Sequence, residues 1–271
     1  MDASSHLIVG VAQFEPVSDA RDNMQQIRDL TGRASRSGVD LLVFPELSMT
    51  GWGSSAQENA TRAQSLDGPL GSELVNIADD FGVTVVAGMY EKSDNAVEKP
   101  YNTLVAASPG AGVVATHRKT HLYDAWGYLE SDEAQAGDGA VATLMVKDVR
   151  VGLVNCYEIR FPERSYRVAS EGCEVLALSA AWPSGPHKEE HWEINIRARA
   201  IENQVWVAGA SSTGTDVIGR SLLVDPLGVV RAQLDESSAQ WASAEIIGAR
   251  TERARRTLPV RAQRCLTYYG G

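Results

Sequence analysis

Cysteine is scarce in this chain: three residues, Cys156, Cys173 and Cys265, an odd number with no close pairing. That excludes a disulfide scaffold and fits a reduced, cytoplasmic protein. Long apolar runs are missing as well. No stretch approaches the about 18 apolar residues that span a bilayer, so no membrane segment is expected. The opening MDASSHLIVGVAQF lacks the charged start and extended apolar stretch of a secretion leader. Basic charge is in short supply, with 25 Lys and Arg against 35 Asp and Glu and a net charge of −10. This excludes the basic stripe that a nucleic-acid surface requires. The basic clusters are His117–Lys119 and Arg250–Arg264, and the second, interrupted by Glu252, reads as part of an irregular, solvated tail over 250–271. Also absent are a G-x-S-x-G elbow, a P-loop and G-x-G-x-x-G, which removes the common serine-hydrolase and nucleotide-binding readings.

What is present is a repeated phrase. The 271 residues are 44% hydrophobic and 22% charged, enough for a sizeable core. After a first strand, His6–Phe14, residues Asn23–Ser37 carry Met24, Ile27, Leu30 and Ala34 at helical spacing, stop at Gly38, and lead into VDLLVFPE. The phrase recurs over Ser72–Phe81 with VTVVAGMYE, over Glu163–Glu171 with CEVLALSA, and over Lys188–Glu202 with VWVAGAS. Gly or Asn ends each helix, as expected for a C′ residue. Four helix–stop–strand units predict an α/β protein whose strands are buried on both faces. Turn sequences at Pro109-Gly110, Lys147-Asp148 and Pro226–Gly228 add hairpins, so the sheets are mixed. No linker interrupts the chain, and residues 1–271 read as one domain. Tyr123–Gly139 fits neither period and reads as a functional loop.

Three strands end in residues with chemistry. Cys156 follows VRVGLVN and precedes Phe161-Pro162, a strand-to-helix turn. There a cysteine gains thiolate character from backbone dipoles and lies exposed at a sheet edge; the competing reading is a small buried core residue. Glu46 follows LLVF, where a carboxylate is costly to bury unless solvated, paired or used. Lys119 ends VVATHRK, where a lysine ordinarily snorkels to water. Glu, Lys and Cys at three strand ends are a candidate site, because α/β folds gather their sites there.

The segments FPELSMTGW, HRKTHLYDAWGYLESD and NCYEIRFPE resemble the three catalytic segments of the nitrilase (carbon–nitrogen hydrolase) superfamily, in the same order. SAAWP, RARAIENQ and SLLVDPLG resemble further phrases of that family, so the likeness covers nearly the whole chain. The resemblance implies a four-layer α-β-β-α sandwich and hydrolysis of non-peptide C–N bonds. It implies a Glu46–Lys119–Cys156 triad working through a thioester, with no metal or organic cofactor. A second family glutamate corresponds to Glu130, with Asp132 and Glu133 as neighbouring candidates. The backbone N–H of Tyr157 would hold the oxyanion. Trp52, Arg160, Ala181 and Trp182 would line the pocket; Arg160 could bind a substrate carboxylate or pair with Glu158 or Glu163. Tyr157 stands where true nitrilases carry Trp, which points to an amidase of the small-amide or ω-amidase type. N-carbamoyl and nitrile substrates are the alternatives within the superfamily. Family protomers pair through the helices that correspond to Glu163–Glu171 and Lys188–Asn203, so a homodimer or larger homo-oligomer is implied.

One competing motif is present. His187-Lys188-Glu189-Glu190-His191 matches H-x-x-E-H, and His187 and His191 would share a helix face suited to zinc. It follows Pro183–Pro186, however, and its acids suit a polar helix start. A non-catalytic interaction protein on the same scaffold is the third reading. Cys173 is expected in the core and Cys265 in the tail.

Overall fold

The computed structural model describes residues 6–53, 55–93 and 99–265. In chain order the strands are β1 (His6–Gln13), β2 (Leu41–Val43), β3 (Thr84–Glu91), β4 (Tyr101–Ser108), β5 (Gly112–Arg118), β6 (Asp124–Ala125), β7 (Tyr128–Leu129), β8 (Thr143–Val146), β9 (Val149–Asn155), β10 (Val175–Ala180), β11 (Trp206–Ser211), β12 (Thr213–Gly214), β13 (Val217–Ile218), β14 (Leu222–Val224), β15 (Val230–Gln233) and β16 (Gln240–Ile247). The helices are α1 (Ala20–Ser35), α2 (Ala56–Arg62), α3 (Pro69–Phe81), α4 (Pro162–Ser170), α5 (Lys188–Asn203), α6 (Gly248–Thr257) and α7 (Val260–Gln263). Among the described residues no helix is long and apolar enough to cross a membrane.

Two six-stranded sheets carry the fold, ordered β16-β1-β2-β3-β4-β5 and β15-β14-β11-β10-β9-β8. Each has three parallel strands at its centre, β1-β2-β3 and β9-β10-β11, flanked by antiparallel neighbours. The period-two alternation divides their side chains between layers. Leu41, Val43, Val175 and Ala177 face the other sheet in a shared core, while Leu42 packs under α1 and α3, and Leu176 and Leu178 under α4 and α5. The result is the expected four-layer α-β-β-α sandwich. The three expected hairpins, β4–β5, β8–β9 and β14–β15, are all present.

The four expected helices form, α1 and α3 each starting about one turn earlier than the apolar spacing shows. Asp19 caps α1, its carboxylate accepting the Arg21 N–H, and Pro69 opens α3. The tail differs from expectation. Residues 250–265 are largely helical in α6 and α7, and Arg250, Arg255, Arg261 and Arg264 are paired with the body of the fold, while Arg253 and Arg256 are exposed; 266–271 lie outside the described residues. Arg250 pairs with Asp225, Arg255 donates to Glu174 Oε1 at 2.8 Å, and Arg261 donates to the Ala169 carbonyl at 3.0 Å. A helix held by ion pairs has no apolar stripe to betray it in sequence. Strand β16 is also additional; it pairs with β1 along eight residues and covers the edge that the first strand would otherwise expose.

Candidate active site

The C-terminal ends of β2, β9 and β10 and the end of β5 converge on one cavity of about 570 Å³. Its lining includes all nine sequence-predicted site residues: Glu46, Trp52, Lys119, Glu130, Cys156, Tyr157, Arg160, Ala181 and Trp182.

Glu46 lies in the turn after β2 and is fully buried. The turn can reach this depth because Gly88 of β3 passes beneath it. A Cβ at Gly88 would stand 2.4 Å from the Leu47 nitrogen and 3.1 Å from the Glu46 carbonyl carbon. Only glycine permits that approach of two backbones. Lys119 follows β5 directly, and its backbone N–H donates to the Asn102 carbonyl at 2.8 Å. Instead of snorkelling, its side chain turns inward and is 1% exposed. Nζ donates to Glu46 Oε1 and to Glu130 Oε2, both at 2.7 Å. Burial opposes the lysine's charge, but the Glu130 and Glu46 carboxylates, with a smaller contribution from Cys156, outweigh it and hold the ammonium well above the ordinary lysine range.

Of the three neighbouring acids, Glu130 is the one that meets Lys119. Glu130 opens a short 3-10 turn and also accepts the Tyr123 N–H at 2.7 Å. Glu133 instead accepts from Asn59 and from the Tyr128 hydroxyl. Asp132 belongs to the same turn and does not line the cavity.

Cys156 sits at the expected turn, but it is buried, 5% exposed, rather than displayed at a sheet edge. Its backbone is left-handed (φ 47°), an uncommon conformation for a non-glycine residue that costs about 1–2 kcal/mol. Glu46, Lys119 and the Ala181 N–H surround the thiol. Burial first and the Glu46 charge second push its pKa well above the usual thiol value; Lys119 and the Ala181 N–H offset this only in part. Burial and the Glu46 charge thus outweigh the backbone dipoles that favour thiolate character at such a turn.

Around this centre Ala181 donates its N–H to Glu46 Oε2 at 3.0 Å. The Tyr157 ring meets Tyr123 edge-on at 5.1 Å, and Trp52 meets Tyr90 edge-on at 6.5 Å. Arg160 makes neither expected ion pair. Its guanidinium lies 4.5 Å above the Trp182 ring, while Glu158 is engaged by His117 and Arg164.

Sequence reasoning missed Asn102, the hub of the cluster. Its Nδ2 donates to Glu46 Oε1 at 2.7 Å and Glu130 Oε1 at 2.9 Å, and its Oδ1 accepts from Asn155 at 3.0 Å. An amide inside the otherwise apolar run YNTLVAA was the available signal. Lys188, Tyr123 and Trp126, which also line the cavity, were missed too. The H-x-x-E-H histidines lie elsewhere. His187 is exposed with left-handed backbone before α5, 3.4 Å from Glu190, and His191 is exposed. Among the described residues no group of three or more His, Cys, Asp and Glu is placed to hold a metal ion.

Known proteins share this architecture. The model of the family "Carbon-nitrogen hydrolase" matches residues 8–256. The deaminated glutathione amidase of Escherichia coli O157:H7 is 33% identical over 254 residues, covering 94% of this chain and 95% of that protein. The human deaminated glutathione amidase is 31% identical over 278 residues, covering 97% and 84%. The crystal structure of the C. elegans NitFhit protein superposes with a TM-score of 0.91 at 27% identity, over 98% of this chain and 67% of that one. The chain belongs to the carbon–nitrogen hydrolase family, within the amidase-like part of the nitrilase superfamily, and is a hydrolase of non-peptide carbon–nitrogen bonds.

Proposed function

We propose that the protein is a cysteine-dependent amidase that converts a small carboxamide to its carboxylate and ammonia through a thioester on Cys156. One observation carries the reading: a buried thiol at the wall of a roomy cavity, beside a carboxylate able to take its proton and an ammonium with a donor to spare.

Each residue then has a chemical task. Glu46 removes the thiol proton as Sγ attacks the amide carbon, so no free thiolate accumulates beforehand. The oxyanion forms against Lys119 and the backbone N–H of Tyr157. An ammonium has three N–H donors, and Glu46 and Glu130 occupy two of those on Lys119, which leaves one for the oxyanion. Glu46 returns its proton to the leaving nitrogen, releasing ammonia. Water, deprotonated by the same carboxylate, then attacks the thioester carbonyl, and the thiol leaves with a proton from Glu46. Glu130 fixes the direction of Lys119, and Asn102 fixes both carboxylates. Trp52, Ala181 and Trp182 shape the pocket, and Arg160 offers a positive charge to the substrate.

Residues 1–271 form one carbon–nitrogen hydrolase domain in this reading. A homodimer or larger assembly accompanies it. Helix α5 leaves Ile194 and Ile201 55% and 42% exposed, and Leu227 and Val229, flanking the Gly228 that packs on Ile201, are exposed too. These residues give a second protomer an apolar face to cover.

The deciding experiment is Cys156→Ala. Ammonia release from a panel of amides should vanish while the thermal transition persists, and the parent quenched during turnover should carry the acyl group as a mass increment on the Cys156 peptide. Retained ammonia release would end the proposal.

A further inference from the structure

Two buried amides face each other where the sheets meet behind the thiol. On β4, Leu104 and Ala106 point into the shared core between the sheets, and on β9 so do Val151 and Leu153. Period-two alternation puts Asn102 on that same face of β4 and Asn155 on that same face of β9. Both side chains are fully buried, and Asn155 Nδ2 donates across the layer to Asn102 Oδ1 at 3.0 Å. Amides in a dry layer are costly beside aliphatic side chains unless their polar atoms are matched, and a matched pair fixes its geometry closely.

The pair joins the nucleophile to its base. Asn155 directly precedes Cys156; its backbone N–H donates to Glu158 Oε2 at 2.9 Å and its side chain to Asn102, so the strand end that delivers the thiol is held from two sides. Asn102 commits both Nδ2 hydrogens to carboxylates, Glu46 Oε1 at 2.7 Å and Glu130 Oε1 at 2.9 Å. The Asn155 bond also settles which way the Asn102 amide faces. Reversed, that amide would turn its oxygen toward two carboxylates and its NH₂ toward the Asn155 donor. The two Glu46 oxygens are left unequal. Oε1 accepts from Asn102 and from Lys119, each at 2.7 Å, which fills its two lone-pair sites. Oε2 accepts the Ala181 N–H at 3.0 Å, the same N–H that reaches the thiol, and keeps one site open.

We infer that Asn155 is a positioning residue for the proton transfer: acting through Asn102, it sets Glu46 against Cys156 and leaves Oε2 as the oxygen that takes the thiol proton. In that step the S–H bond breaks and its electron pair stays on sulfur to bond the amide carbon. The carbonyl π pair moves to oxygen, and the proton forms an O–H bond at Oε2. The two donors on Oε1 stay where they are, so the carboxylate changes protonation without turning. This rests on the amidase reading above and adds to it a residue that touches neither substrate nor the transferred proton.

The test is Asn155→Leu, which keeps the volume and removes the donor. On the fastest amide of a panel, kcat should fall about 10- to 100-fold with KM within about threefold of the parent, as expected when reacting groups are misplaced and the pocket is intact. Because Asn155 acts through Asn102, the double variant Asn102→Ala/Asn155→Leu should be within about threefold of Asn102→Ala alone. A folded Asn155→Leu at parental kcat, or losses that multiply in the double variant, overturns the proposal. If the leucine variant does not fold, Asn155→Asp keeps the shape with a carboxylate that cannot donate, and it should show the same split between kcat and KM. A further readout needs no turnover. A Glu46 that has drifted from the thiol raises its pKa less, so the pH profile of Cys156 alkylation by iodoacetamide should move to lower pH in Asn155→Leu. Ammonia release from the parent with an unmoved kcat and profile refutes the role of Asn155 alone. No ammonia from any amide, with a profile that still moves, refutes the amidase reading alone.

Discussion

Two charged clusters lie two residues apart along the end of β5, and they do opposite things with burial. The first surrounds Lys119: one ammonium between two carboxylates, with a thiol alongside and a cavity beyond. The second surrounds Glu158: one carboxylate between the His117 ring at 2.8 Å and the Arg164 guanidinium at 3.8 Å. Glu158 also accepts the backbone N–H groups of Thr120 and Asn155, at 2.7 and 2.9 Å. Burial alone would raise its pKa, but His117, Arg164 and the Thr120 N–H reverse this and bring it down to about 2. The Glu158 cluster ties the residue after Lys119 to the residue before Cys156. The Lys119 cluster instead sets two carboxyl groups against one ammonium, and burial, followed by the Glu46 charge, raises the pKa of the neighbouring thiol. A satisfied cluster fixes geometry, whereas one left out of balance beside a cavity is equipped for proton transfer.

The largest effect expected from disturbing this contrast is at Glu46. Glu46→Gln keeps the side-chain shape but removes the base, so ammonia release should fall about 10²- to 10⁴-fold. The thiol should respond in the opposite sense. The Glu46 charge raises its pKa, so the neutral amide lets it fall, and the pH profile of Cys156 alkylation should move to lower pH. A slow enzyme whose alkylation profile has not moved would show that the two groups are not coupled.

At Glu158 the main loss should be in stability. Glu158→Gln leaves Arg164 buried beside a neutral partner, at a cost of about 3–5 kcal/mol, and lowers turnover less than Glu46→Gln does. The pH dependence has a definite sign. Because the folded-state pKa is depressed, the stabilisation is complete above the usual carboxylate pKa near 4.5 and is lost as pH falls toward about 2. The gap between the parent and variant denaturation midpoints should therefore close over that interval. A gap that is constant with pH would remove the electrostatic account.

Much of this was legible in sequence, and the reasons differ by region. The central parallel strands are apolar on both faces, so LLVF, VLALSA and VWVAGA announce themselves, and a Glu, Lys or Cys ending such a run stands out. Asn102 did not, because its role is defined by Glu46, Glu130 and Asn155 arriving from three other segments. The burial of Cys156 escaped for the same reason: Glu46 and Ala181, which meet at the thiol, are 135 residues apart. Lys188 was read as part of a polar helix start because its cage comes from the Tyr123–Gly139 loop, which has no periodicity. Helix α6 was hidden by its basic surface, and β16 by the half-buried positions of an outer strand.

The smallest effect expected is at His117, and it bears most directly on the contrast. The ring nitrogen donates to Glu158, and glutamine can supply an N–H in its place while Arg164 and two backbone N–H groups remain. His117→Gln should then cost about 1 kcal/mol, as for one exchanged hydrogen bond, and leave ammonia release within about threefold of the parent, since no reacting atom loses a partner. Chemical denaturation and steady-state assays measure the two quantities separately. Should turnover collapse while stability holds, the cluster behind β5 would be exchanging protons with the site, and the division between a structural and a reactive cluster would fail. If both barely move, Glu158 clamps the Lys119 and Cys156 segments chiefly through Arg164 and backbone N–H groups, and the imidazole serves as a donor that a side-chain amide can replace.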